Sequence, residues 1–128
     1  MKSERILKIF LWLVTFHSMV AGIILIEGTP EIFYFFGFTD QIGFFSVQAG
    51  VFHLVMGVAY LMTIYTLRKE SVIIWFCITA KMMATVFLVL YFILFDPIWI
   101  VLVSGIGDFL MGLLMWMFFM NYKRSQHA

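Results

Sequence analysis

Four long apolar stretches, at Ile6–Ile26, Phe44–Tyr65, Val72–Phe95 and Ile98–Met120, constrain this chain more than any other feature. Each reaches the roughly 20 residues that a helix needs to cross the hydrocarbon core of a bilayer. Composition points the same way: 12% of the residues are charged and 64% are hydrophobic, whereas a soluble domain carries about 25% charged residues. There is too little polar surface here to cover a soluble globule. The expectation is an all-α integral membrane four-helix bundle, a single domain over residues 1–128 with no soluble appendage. The basic segment before the first stretch could suggest a signal peptide. That stretch is too long for a signal core, carries His17 at its centre and lacks a small-x-small cleavage site. It is expected to remain as the first helix. The single cysteine, Cys77, leaves no disulfide to form within the chain.

The breaks between stretches carry local signals. Gly28-Thr29-Pro30 ends the first, and Thr29-Pro30 is expected to start a short helix that Gly37 ends. Phe33, Tyr34, Phe35, Phe36 and Phe38 crowd that segment. Aromatics favour the headgroup region, so an interfacial anchor is preferred over a lid, and Trp12, Trp75, Trp99 and Trp116 read as belt residues. Leu67-Arg68-Lys69-Glu70-Ser71 separates the second and third stretches. Asp96 and Pro97 separate the third and fourth, read as an N-cap and a first helical residue.

Charge then orients the bundle. Lys2, Arg5, Lys8, Arg68, Lys69, Lys123 and Arg124 fall at the N-terminus, the second connection and the C-terminus, which share one side of a four-span chain. The other side carries Glu27, Glu31, Asp40 and Asp96 and no base. The positive-inside rule makes both termini cytoplasmic, and a bacterial inner membrane is the expected location. Without a polybasic tract, nucleic acid is excluded as a partner.

Two segments match. Gly50 to Gly57 reads GVFHLVMG in the second span, and Gly105 to Gly112 reads GIGDFLMG in the fourth. Glycines seven apart with a polar residue between them lie on one helix face, where backbones approach closely. The match suggests a two-plus-two internal repeat.

His17, His53, Lys81 and Asp108 are ionisable groups deep in the spans. At 1.5 Å per residue, His17, His53 and Asp108 fall within about 2 Å of their span midpoints, and Lys81 about 4 Å to the cytoplasmic side. A charged group at such depth costs at least about 2.5–3.5 kcal/mol, so it needs a partner or a purpose. Side chains tilt toward their helix N-terminus, which makes His53 to Asp108 the first-choice contact, with Lys81 reaching Asp108 from below. Gln48 and Ser104 extend the polar set, as do Cys77 and Thr85. A Lys81–Asp108 pair that only fixes helix packing is the competing structural explanation. Asp108→Leu is expected to reduce folded yield, and Glu4→Leu is not.

The function expected first is an accessory or structural subunit of a larger membrane complex, or a homo-oligomer. The alternative is a bundle that binds or transports a small hydrophobic molecule, a lipid or protons through His53, Asp108, Lys81 and His17. Two lesser alternatives are an enzyme acting on a lipid or quinone and a haem b protein. The enzyme reading lacks a nucleophile beside a base, so no catalytic residue is assigned. For the haem, His17 and His53 would be axial ligands, with Gly22, Ala49 and Gly57 clearing space. Neither histidine carries a haem-specific motif, and no cofactor is expected. His17, His53 and Asp108 lie on three separate helices without a metal-binding spacing, so no metal is expected either.

Four short spans, a polar residue after a small one in the second, and the G-x-G-D element from Gly105 to Asp108 resemble the DoxX-like group of small bacterial four-helix membrane proteins. The resemblance covers the whole chain and implies architecture alone.

Overall fold

The computed structural model describes residues 2–39, 43–69 and 71–127, the last without its side chain. Asp40 and Glu70, which entered the sequence analysis, lie outside the described residues. The helices are α1 (Lys2–Glu27), α2 (Pro30–Phe35), α3 (Gly43–Thr66), α4 (Val72–Leu94) and α5 (Trp99–His127). α1, α3, α4 and most of α5 are long and apolar enough to cross a membrane, which makes this a multi-pass integral membrane protein with an all-α bundle.

Local chemistry explains the ends. Thr29 stands at the N-cap of α2 in extended conformation, with Pro30 at its first turn. Gly37 closes the segment at φ +94°, a backbone conformation that costs glycine little and a β-carbon more. α2 buries none of its residues. Its end docks on the start of α5: Trp99 Nε1 donates to the Phe35 carbonyl at 3.3 Å, and the Trp99 ring meets Phe35 and Phe36 at 6.1 and 6.2 Å. The expected cap of the last helix is displaced. Asp96 and Pro97 stay outside α5, whose first turn is closed by the Ile98 carbonyl accepting from Val101 and Leu102. Ile98 N–H bonds the Asp96 carbonyl at 2.8 Å, and this tight turn uses the backbone that a cap at Asp96 would need.

The four long helices form a square in which α1 packs most closely on α3, and α4 on α5. α1 also meets α5, and α3 meets α4, while among the described residues no such close backbone approach joins the diagonal helices. The glycines make the two close pairings. A β-carbon on Gly50 would lie 2.7 Å from the Gly22 carbonyl oxygen, and one on Gly22 would lie 2.9 Å from that of Gly50. Gly57 faces Met19 and Ile26 covers Gly50. In the other hairpin Gly112 faces Met82 and Val89 covers Gly105. A shift of 63 residues maps Met19 to Met82 and Ile26 to Val89. A shift of 55 maps Gly50 onto Gly105 and Gly57 onto Gly112. Two hairpins of one design thus face each other, and the same shifts set Ser18 against Lys81 and His53 against Asp108.

Burial divides the bundle across its length. At the end carrying both termini, Leu7, Leu11, Val14, Tyr60, Ile64, Leu67, Ile74, Cys77, Ile78, Met115, Phe119 and Tyr122 form one apolar core. Ion pairs close that end. Arg68 makes two 2.9 Å bonds to the Glu4 carboxylate, and Lys8 lies 3.0 Å from it. Ser3 and Ser125 join α1 to α5 at 2.6 Å. Glu4 is therefore a buried, paired residue, which corrects its expected role as an indifferent position. Beyond the level of Val14, Tyr60, Ile78 and Met115, the buried residues are mostly small or polar: Ser18, Gly22, Ser46, Gly50, Gly57, Lys81, Gly105, Asp108 and Gly112, with Val101 as the apolar exception.

A polar cavity between the two hairpins

Directly above the apolar core lies a cavity of about 390 Å³, lined by all four long helices and chiefly by α3 and α4. Its size falls within the roughly 300–1,000 Å³ of ordinary small-molecule sites. Most of its wall is apolar or aromatic, including Phe52, Met56, Phe87 and Leu88. Its polar groups are Ser18, His53, Tyr60, Lys81 and Asp108. They come from both hairpins, because the repeat sets Ser18 and His53 opposite Lys81 and Asp108.

Lys81 and Asp108 are 4% and 7% exposed, and the ammonium donates to Asp108 Oδ1 at 2.5 Å. The contact joins adjacent helices where Gly112 lets the stem of Lys81 pass 3.2 Å from its β-carbon position. Each charge neutralises the other in a medium where either alone would be costly. Lys81 Nζ also lies 5.9 Å from the Tyr60 ring centroid, within reach of the attraction between a cation and an aromatic face.

Two hydroxyls have no such partner. Ser18 is 1% and Tyr60 0% exposed, and neither Ser18 Oγ nor Tyr60 OH meets a hydrogen-bond partner among the described residues. Other buried hydroxyls in the bundle are satisfied: Thr15 donates to the Leu11 carbonyl at 2.8 Å and Thr63 to that of Ala59 at 2.9 Å. Ser46 donates to the Leu25 carbonyl. The two orphans are both in the cavity wall.

The expected polar set is only partly assembled. Lys81, Asp108 and His53 share the cavity. Asp108 takes Lys81 as its partner in place of His53, because α3 and α5 sit on a diagonal while α4 and α5 pack directly. His17, Gln48 and Ser104 are exposed and line none of this cavity. The reason is azimuth. The buried stripe of α5 runs Val101, Gly105, Asp108, Gly112, Met115, Phe119 and Tyr122, alternating steps of four and three as helix seams do. Ser104 lies one residue, about 100°, off that stripe. His17 is displaced from Ser18 in the same way, and Gln48 falls between Ser46 and Gly50. Sequence reasoning passed over Ser18 and Tyr60, although the same spacing marks both. Tyr60 follows His53 by seven residues, and Ser18 precedes Gly22 by four.

The geometry does not favour a haem between His17 and His53. The space at Gly22 is filled by Leu54 and the Gly50 carbonyl, and that at Gly57 by Met19. Among the described residues, no three His, Cys, Asp or Glu side chains converge as a metal site. What the cavity can do is hold a small molecule by apolar contact and present hydroxyl donors, a neutralised ion pair and an imidazole to its polar end. Compared with protein-family models, curated proteins and solved structures, the chain has no match.

Proposed function

We propose that this protein binds a small molecule in the cavity between its two hairpins, with Ser18, Tyr60, Lys81, Asp108 and His53 as the polar end of the site. The observation that carries the reading is the pair of buried, partnerless hydroxyls on Ser18 and Tyr60. A buried polar group without a hydrogen bond costs roughly 1–3 kcal/mol. Helix packing has no use for two of them in one cavity, which puts ligand binding ahead of the accessory-subunit reading. The Lys81–Asp108 pair serves both purposes, fixing α4 to α5 and neutralising the floor. The basic side chains Arg5, Lys8, Arg68, Lys69, Lys123 and Arg124 fall at the end with both termini, and Glu27, Glu31 and Asp96 at the other. That asymmetry supports a cytoplasmic location for both termini, in a bacterial inner membrane.

The test is the stability of ligand-stripped protein. Binding groups left empty are a liability, so Tyr60→Phe and Ser18→Ala should unfold at the same or a higher temperature than the parent after exhaustive delipidation. Marked destabilisation by both substitutions would make the hydroxyls structural and overturn the reading.

A further inference from the structure

We infer, resting on the binding site proposed above, that its occupant is a neutral, bilayer-soluble molecule with a ring-borne carbonyl, admitted sideways between α3 and α4. Four observations converge on this. The cavity draws most of its lining from α3 and α4, and these two helices touch least among the four neighbouring pairs. Along that seam Phe52 and Phe87 are 62% and 65% exposed, although both line the cavity. In a spanning bundle that exposure faces lipid, so the mouth opens into the bilayer at mid-depth. From the end with the termini, the route is closed by the apolar core.

The floor excludes a charged guest. Lys81 and Asp108 already cancel, and an added charge would enter a low-dielectric site without a counterion. Among the described residues, the fully buried polar atoms of the cavity wall without a hydrogen bond are the hydroxyls of Ser18 and Tyr60. A phenol is a better donor than acceptor, so Tyr60 offers its proton to a guest. An electron-rich carbonyl oxygen is the acceptor that such a hydroxyl donor lacks. The aromatic faces of Phe52, Tyr60 and Phe87 suit a flat ring, and the alanines Ala49, Ala80 and Ala84 leave room for one.

Benzophenone is a direct probe, being neutral, lipid-soluble and a diaryl ketone. On irradiation its carbonyl inserts into a nearby C–H bond, and the whole molecule is retained as an alcohol. The protein in phosphatidylcholine vesicles is photolabelled with benzophenone or with its anionic analogue 4-benzoylbenzoate, and the adducts are mapped by peptide mass. The expected result is a single benzophenone per chain on cavity residues such as Met56 and Leu88. Ala84→Trp, which fills the mouth, should abolish it. The Ser18→Ala, Tyr60→Phe double variant should lower occupancy at limiting probe by about tenfold, the factor for one net hydrogen bond. Circular dichroism and size-exclusion profiles establish that both variants fold, and the double variant carries the test alone if Ala84→Trp does not. Equal or stronger labelling of the same residues by the anion would overturn the neutral, lateral occupant while leaving a binding site in place. Benzophenone scattered over lipid-facing residues and indifferent to both variants would overturn the inference outright. The binding reading itself is judged separately, by the stability of the stripped Ser18 and Tyr60 variants.

Discussion

The two halves of this bundle are built from the same four helices and solve different problems. In the half with the termini, leucine, isoleucine and aromatic side chains interdigitate, and the ion pairs of Glu4 lock its rim. In the other half the helices within each hairpin are drawn together by glycine. The two hairpins meet across polar side chains and a cavity. Lipid tails are as apolar as leucine, so packing quality rather than water exclusion decides which helices associate. The first half spends its residues on packing. The second leaves packing incomplete, and it is there that unpaired hydroxyls collect.

Substitutions that treat the halves differently test this contrast. The largest effect is expected from Asp108→Leu, which strands the Lys81 charge: removing one partner of a buried pair costs about 3–5 kcal/mol, read as loss of folded yield. The double variant Lys81→Met, Asp108→Leu should recover most of that yield, since both charges are gone. Next comes core truncation. Leu11→Ala, at a position with 0% exposure, should cost about 2–5 kcal/mol in reversible unfolding, whereas Phe52→Ala at the cavity mouth should leave stability within about 0.5 kcal/mol. Comparable losses at both positions would erase the distinction between a packed half and an open one.

The glycines offer a finer contrast. Gly50→Val drives a side chain into the α1 backbone and should cost about 1–3 kcal/mol through overpacking. Gly107 has open space where a β-carbon would go, so Gly107→Ala should gain about 0.5–1 kcal/mol from helix propensity. The smallest effect belongs to the rim. Glu4→Gln should lower the unfolding temperature slightly, and the difference should shrink as salt screens the Arg68 and Lys8 contacts in the parent.

Spans, breaks and the matching glycine segments were legible because the bilayer dictates helix length, and because GVFHLVMG and GIGDFLMG repeat the same spacing. Depth was legible as well, which is how Lys81, Asp108 and His53 were found. Azimuth was not. In a membrane helix the outward face is as hydrophobic as the inward one, so apolar periodicity does not mark the buried side. Depth alone grouped His17 with His53, although the buried neighbour is Ser18. Small and hydroxyl-bearing residues at three-four spacing carry that information instead. Ser18 and Tyr60 were missed because a hydroxyl at mid-depth is less conspicuous than a charge. The start of α5 was misplaced by two residues because Asp96-Pro97 is an equally good turn, and the Ile98–Asp96 backbone bond settles which it is.

The most direct measurement is native mass spectrometry of the protein extracted gently from its own membrane, beside the Tyr60→Phe variant. The account predicts one small-molecule adduct per chain in the parent, retained at low collision energy and much depleted in the variant. A parent without adduct, or one whose adduct is held equally by Tyr60→Phe, would contradict the claim that the open half of the bundle is a binding site.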